Sequence, residues 1–343
     1  MEIKIGGKPV GDGHRCFIIA EIGSNHNQDL SLALKHIDAA AEAGVDAVKF
    51  QTFKAENHYS KRMPEVSYLD GTNIYQLIQS IELNRDWQAG LKDHCEQRGV
   101  TFMSSPCDPE AVDQLAALGM EAFKVASFDL PDLELVELVA QTGKPAVLST
   151  GMADWMDIQR AVDTCRKAGN NQIVLLQCTS LYPAPPELTN LRSIRVMREA
   201  FGVLAGYSDH TIGDHVSVAS VAAGACIIEK HFTLDRALPG PDHSFAIEPQ
   251  ELKDMVKRVR DVDAALGDGV KNGPRALEQE MFEKCRRSIH AAKAIKAGEI
   301  ITRDKLVAKR PGLGVPPFMI DQLLGRPAKV DIEADEWVTW NHV

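Results

Sequence analysis

From residue 17 onward, eight short β-branched runs alternate with stretches of helical periodicity. That alternation restricts the chain to βα units around a parallel sheet. The strand-like runs cover residues 17–22, 47–52, 101–105, 123–127, 146–150, 173–178, 203–208 and 226–231. Between most of them apolar residues recur at spacings of three and four, as in 30–43, 109–118 and 133–140. Gly44, Gly99, Gly119, Gly143 and Gly169 follow such stretches, where a left-handed residue turns the chain back toward the sheet. Eight such units in roughly 265 residues match a (β/α)8 TIM barrel in size and order. A doubly wound open sheet is the competing arrangement, but no Gly-x-Gly-x-x-Gly follows the first strand. The connection at 57–71 is long and irregular, of the kind that shapes a pocket on a barrel's carboxyl face.

The pattern changes near residue 267. Residues 1–267 read as the barrel, 268–285 as a linker and 286–343 as a small β-rich domain. Short strands are predicted there at 288–294, 306–309 and 337–340. A domain this small sits at the edge of independent stability and is expected to lean on a partner surface. The net charge of −10, with no basic stripe, argues against a nucleic-acid partner. A pocket of opposite local charge can still attract small anions. The longest nearly apolar stretch, 216–228, is broken by Ser217 and Ser220 and is too short to span a bilayer. The seven cysteines are dispersed, without a Cys-x-x-Cys. They suit reduced thiols, and no secretory pattern opens the sequence, so a cytoplasmic enzyme is expected.

Barrel enzymes carry their chemistry at the carboxyl ends of the strands. Those ends hold Glu21, Lys49, Gln51, Ser104, Ser105, Lys124, Ser127, Ser149, Thr150, Gln177, Thr179, Ser208, His210, Glu229 and His231. Alternation puts Lys49 with Gln51, and Glu229 with His231, on shared faces. A lysine inside a strand is costly if unpaired, because burial can depress its pKa by ~3–5 units. Two lysines with a ring of hydroxyls suit a phosphate or carboxylate. A Schiff-base lysine, or structural pairing with Glu21 or Glu229, are the alternatives. His210 and His231 end consecutive strands with a carboxylate near each, which suits a metal site. General acid–base work and structural hydrogen bonding use histidines in the same way. His26 and His243 read as loop hydrogen-bonding residues.

Eight blocks, in order, resemble the N-acetylneuraminate (sialic acid) synthase family, which includes pseudaminic and legionaminic acid synthases. They are Ala20-Glu21-Ile22-Gly23-Ser24-Asn25-His26, Lys49-Phe50-Gln51-Thr52, Lys124-Val125-Ala126-Ser127, Leu148-Ser149-Thr150-Gly151-Met152, Gln177-Cys178-Thr179-Ser180, Ser208-Asp209-His210-Thr211, Glu229-Lys230-His231-Phe232-Thr233-Leu234-Asp235 and Pro239-Gly240-Pro241-Asp242-His243. The tail around Val307-Ala308-Lys309-Arg310-Pro311-Gly312 resembles that family's antifreeze-like (SAF, β-clip) domain.

The resemblance implies condensation of phosphoenolpyruvate with an open-chain N-acylated hexosamine, releasing phosphate and a nine-carbon 2-keto acid. It implies Lys49, Ser105, Lys124, Ser127, Ser149 and Ser208 around phosphoenolpyruvate, with Ser180 as an addition. Gln51 and Tyr182 join the substrate contacts. It implies His210 and His231 on a divalent ion (Mn2+ or Mg2+) and Glu21 managing a proton, with Asp129 and Asp242 in support. Arg310 is implied to reach a neighbouring subunit's barrel and contact the sugar's N-acyl group, which makes a domain-swapped homodimer. Ser180 stands where several sialic acid synthases carry Asn, and Asp129 where they carry Glu. The sugar therefore stays open among N-acetylmannosamine, its 6-phosphate and the diacetamido-dideoxyhexoses. The competing enzyme is a Schiff-base pyruvate aldolase using Lys124 or Lys49; a sugar-binding protein that recognises through its tail is the non-enzymatic reading.

Overall fold

A computed structural model describes residues 1–64 and 73–343, so the part of the predicted 57–71 connection beyond residue 64 lies outside the described residues. The chain forms two compact units, Met1–Gly267 and Asp268–Val343.

The first unit opens with an antiparallel hairpin, β1 (Glu2–Ile5) and β2 (Lys8–Gly11). Eight parallel strands follow: β3 (Phe17–Gly23), β4 (Ala47–Thr52), β5 (Thr101–Pro106), β6 (Phe123–Val125), β7 (Ala146–Ser149), β8 (Ile173–Cys178), β9 (Leu204–Asp209) and β10 (Ile227–His231). They pair in sequence order, and β10 closes the barrel on β3 with Ile227 opposite Phe17 and His231 opposite Glu21. The expected TIM barrel is therefore present. The strand predicted at 123–127 is shorter, ending at Val125. Helices cover the outside, among them Leu30–Ala43, Pro109–Ala117, Leu133–Gln141 and Pro249–Leu266. The first is capped at both ends: the Asp29 side chain accepts from the Ser31 and Leu32 amides, and Gly44 adopts φ 88°.

Strand alternation sends every second residue inward, and the inward rows are graded. Phe17, Ile19, Ala47, Met103, Val147, Val174, Leu176, Leu204 and Ile227 form one apolar cluster with Ile3, Ile5 and Val10 of the hairpin. The hairpin thereby plugs the amino-terminal end. Above that layer the same strands present Glu21, Lys49, Ser105, Lys124, Ser149, Ser208 and Glu229, all buried. A second apolar cluster, including Ile18, Ile37, Val48, Phe50, Leu148, Val162 and Ile228, joins the outer strand faces to the helices. Among the described residues no helix is long and apolar enough to cross a membrane.

The second unit has its own core of Ile289, Ile295, Ile301, Leu306, Val315, Leu323, Ile332 and Val338. Its sheet is β11 (Ser288–Ala291) paired antiparallel with β12 (Leu306–Lys309). The strand predicted at 337–340 is not formed: Trp337 makes one isolated bridge to His290, and Trp340–His342 is a 3-10 turn. Within the stretch predicted as a linker, Gln279–Cys285 is helical, with Gln279–Glu283 and Lys284–Glu280 side-chain contacts one turn apart.

Gly206 on β9 tests the tightness of the barrel interior. A Cβ there would lie 2.4 Å from the Ile227 carbonyl oxygen and 2.7 Å from Leu176 Cδ2. Gly206→Val should lower the barrel's urea midpoint, with a loss of roughly 1–3 kcal/mol or more from overpacking. An unchanged midpoint would contradict this packing.

Candidate active site

Four opposite charges meet inside the barrel mouth. Lys49 Nζ lies 2.6 Å from Glu21 Oε2 and 3.8 Å from Glu229 Oε2. Lys124 Nζ lies 3.6 Å from Glu229 Oε1. Lys49 also donates to Ser105 Oγ at 3.1 Å, Gln51 Nε2 to Glu21 Oε1 at 2.8 Å, and Ser208 Oγ to Glu229 Oε1 at 3.0 Å. All four charged side chains are almost fully enclosed. The set arises because β3, β4, β6 and β10 each place an inward polar residue one layer above the apolar fill.

Burial pushes the Glu21 carboxyl from 4.5 to about 7; Lys49 pulls it down and Glu229 pushes it up. Burial also disfavours the Glu229 carboxylate, but Lys124 and Lys49 outweigh it and hold Glu229 below its ordinary value. The two carboxyl groups are thus driven apart, the pattern that separates an acid from a fixed anion. Burial works against the Lys49 charge, yet Glu21 and Glu229 raise its pKa above the ordinary value. A lysine held protonated in this way is the opposite of a Schiff-base nucleophile, which needs a depressed pKa.

Near the ends of β7 and β8, Ser149 Oγ and Ser180 Oγ are buried with no hydrogen-bond partner among the described residues. Ser127 Oγ accepts from the Gly151 amide at 3.0 Å. A side chain at Gly151 would strike Ser180 Oγ at 2.3 Å and Ser127 Oγ at 2.9 Å, so glycine keeps the hydroxyls together. Orphaned buried hydroxyls beside two ammonium groups suit an anionic ligand. The structural ion pairs weighed from the sequence are present, but they leave these hydroxyls unexplained.

Across the mouth stand the two histidines. Their rings are 5.2 Å apart, with Tyr182 4.2 Å from His210 and Phe245 5.0 Å from His231. His210 Nδ1 donates to the Thr179 carbonyl at 2.8 Å, so Nε2 is the nitrogen left to ligate. Burial disfavours the His210 charge, but Cys178 and the Thr179 carbonyl raise its pKa above the ordinary value, so an ion would displace the Nε2 proton. His231 Nδ1 is buried with no hydrogen-bond partner among the described residues and lies 3.7 Å from Asp242 Oδ2. Burial, reinforced by His210 and Lys49, holds His231 well below its ordinary pKa and therefore neutral, as a ligand must be. Burial raises Asp242 from 3.8 to about 6. The pair fits a divalent ion by its donor chemistry.

The strand ends that carry the histidines are braced from outside the barrel. Lys230 Nζ pairs with Asp209 Oδ2 at 3.0 Å and donates to the Thr211 carbonyl at 2.5 Å. Asp209 in turn accepts from the Thr211 amide and from Ser217 Oγ.

Asp129 follows β6 and lies 3.7 Å from His58 Nε2. Its carboxyl is raised by burial, which the His58 charge opposes. Arg310 belongs to the second unit, where its Nε donates to the Cys285 carbonyl at 2.6 Å. Glu229, expected at a strand end on one face with His231 and as an alternative partner of the lysines, joins both of them. Among the described residues, His58, Cys107 and Asp129 form the one group of three candidate ligand side chains with donor atoms all within 4.8 Å.

A closed parallel barrel that gathers ammonium, carboxyl, hydroxyl and imidazole groups at the carboxyl ends of its strands has the arrangement of a barrel enzyme's active site. Residues 36–271 match the NeuB family and residues 286–343 match the SAF domain. The chain belongs to the NeuB family. It is 40% identical to the N,N'-diacetyllegionaminic acid synthase of Campylobacter jejuni, over 94% of this chain and 99% of that protein. It is 38% identical to the human N-acetylneuraminate-9-phosphate synthase, over 97% of this chain and 94% of that protein. A crystal structure of the N-acetylneuraminic acid (sialic acid) synthetase from Leptospira borgpetersenii superposes with a TM-score of 0.74 at 35% identity, covering 82% of this chain and 95% of that one.

Glu21 gives the site a pH signature. Its folded pKa of about 7 lies above its ordinary value of 4.5, so the folded state holds the proton more tightly. The resulting stabilisation is complete below 4.5 and is lost as pH rises through about 7. Glu21→Gln, which cannot ionise, should therefore gain thermal stability relative to wild type as pH rises through that window. Parallel melting curves across the window would contradict the assignment.

Proposed function

We propose that this enzyme condenses phosphoenolpyruvate with the open-chain aldehyde of an N-acylated hexosamine and water, giving a nine-carbon 2-keto acid and phosphate. The observation that carries the reading is the burial of Lys49 and Lys124 inside the barrel mouth together with two buried hydroxyls, Ser149 and Ser180, that have no partner among the described residues. That seat matches a small substrate bearing both phosphate and carboxylate. The synthase names of the relatives support the same chemistry.

In this reading Lys49, Ser105, Lys124, Ser127, Ser149, Ser180 and Ser208 hold phosphoenolpyruvate with its C3 toward the histidine rim. Gln51, Tyr182, Asp129 and Asp242 position the sugar. C3 attacks the aldehyde carbon and forms the new C–C bond, while the aldehyde oxygen takes a proton. Water adds its oxygen to C2, the C2–O bond to phosphorus breaks, and phosphate leaves with the electron pair. Loss of the C2 hydroxyl proton gives the ketone. Glu21, held near neutrality by burial, is suited to move these protons at pH 7. A divalent ion (Mn2+ or Mg2+) held by His210 and His231 would polarise the aldehyde as a Lewis acid. The enzyme is placed in the cytoplasm, as a domain-swapped homodimer in which Arg310 meets the sugar's N-acyl group in the partner's barrel. The division into residues 1–267, 268–285 and 286–343 belongs to the same proposal.

Phosphate release from phosphoenolpyruvate should depend on the sugar, stop with EDTA and return with Mn2+. A panel of N-acetylmannosamine, its 6-phosphate and the two diacetamido-dideoxyhexoses identifies the acceptor. Release with no sugar of the panel would contradict the reading. His210→Ala and His231→Ala should each lower kcat by about a hundredfold or more, since Lewis-acid assistance is worth several kcal/mol. Circular dichroism should be unchanged in both. Arg310→Ala should raise the KM for sugar well above any change for phosphoenolpyruvate; equal changes would contradict its assigned position.

A further inference from the structure

His58 and Cys107 have no part in the mechanism above, yet they converge with Asp129 at the carboxyl end of three consecutive strands. His58 ends the short helix Ala55–His58 after β4, Cys107 directly follows β5, and Asp129 lies four residues beyond the end of β6. An imidazole nitrogen, the Cys107 sulfur and a carboxylate oxygen all lie within 4.8 Å of one another. The His58 Nε2 to Asp129 Oδ1 separation is 3.7 Å. Tetrahedral bonds of about 2.0–2.3 Å place donor atoms about 3.3–3.8 Å apart, so the group needs shifts of about 1 Å or less to close on an ion.

The supports are local and ordered. The Cys107 amide donates to the Thr52 carbonyl at 3.1 Å, and the Asp129 amide donates to the Ala126 carbonyl at 3.0 Å. The His58 ring stacks on Phe53 with an interplanar angle of 22° and meets Tyr59 edge-on at 4.8 Å. One nitrogen, one sulfur and one oxygen donor leave a fourth position open. Burial and the Asp129 charge push the Cys107 thiol well above its ordinary value, so it would bind an ion by giving up its proton. The thiolate then formed selects soft ions over magnesium or manganese, and its charge with that of Asp129 balances a divalent cation.

We propose that His58, Cys107 and Asp129 form a second cation site, separate from the His210–His231 pair, that takes a thiophilic divalent ion of the zinc and cobalt class. An ion there sits on a side chain assigned to the sugar, so zinc would exclude the acceptor. That consequence rests on the proposed function, whereas ion binding itself does not.

The test loads the full-length, chelator-stripped protein with Co2+ and reads the sulfur-to-cobalt charge-transfer band in the near ultraviolet, with zinc stoichiometry by elemental mass spectrometry. Wild type should show the band. Cys107→Ser should lose it together with one zinc equivalent, and His58→Gln should weaken zinc binding at least tenfold. The His210→Ala, His231→Ala double variant should keep the band. Absence of the band in wild type would overturn the proposal. So would its survival in Cys107→Ser with loss in the double variant, which would assign the sulfur to Cys178, 3.8 Å from His210 Nδ1. His58→Gln leaves every cysteine in place, so it reads the site even if Cys107→Ser folds poorly.

Discussion

Two ammonium groups and two carboxyl groups enclosed in one barrel constrain everything above them. Each alone would cost several kcal/mol to bury, and removing one partner would strand an uncompensated charge. Lys49 therefore sits between Glu21 and Glu229, and Lys124 leans on Glu229 from the other side. Below them the barrel is filled by apolar residues and closed by the hairpin's Ile5 and Val10. That geometry raises Glu21 toward neutrality while Glu229 stays ionised, and it keeps Lys49 protonated.

In the proposed function, a preorganised anion seat follows from the same constraint. Side chains that already neutralise one another in the free protein need little rearrangement when a ligand arrives, and donors fixed in a dry site act more strongly than in water. The hydroxyls of Ser149 and Ser180 are left over after the internal pairing is complete. The backbone that carries the histidines is fixed from the other face of the sheet by the buried Lys230–Asp209 pair. Glycine at 151 and 206 permits two close approaches in this scheme, one at the hydroxyl cradle and one in the barrel fill.

Much of this was legible in the sequence, for identifiable reasons. Eight apolar runs with helical spacing between them admit few folds, and lysines inside strands at positions 49 and 124 announce internal pairing. The opening hairpin was missed. Its signal was the alternation of Ile3 and Ile5 with charged residues before Gly6-Gly7, whose φ angles of 56° and 74° suit a two-residue turn. Pro9 in the second strand masked it, since proline argues against a sheet interior. The strand predicted at 337–340 failed because its two tryptophans lie in irregular backbone joined by a single bridge. The grouping of His58, Cys107 and Asp129 could not be read at all: no spacing rule links residues that three separate connections bring together.

The account depends on the Lys49–Glu21–Glu229–Lys124 set being a seat for phosphoenolpyruvate rather than a purely structural network. Titration calorimetry of phosphoenolpyruvate into the metal-free protein, without sugar, addresses this directly, with Lys124→Met as the comparison. The account predicts binding to wild type that inorganic phosphate competes away, and a loss of at least tenfold in affinity in the variant. No binding to wild type, or undiminished binding to a folded Lys124→Met protein, would contradict it.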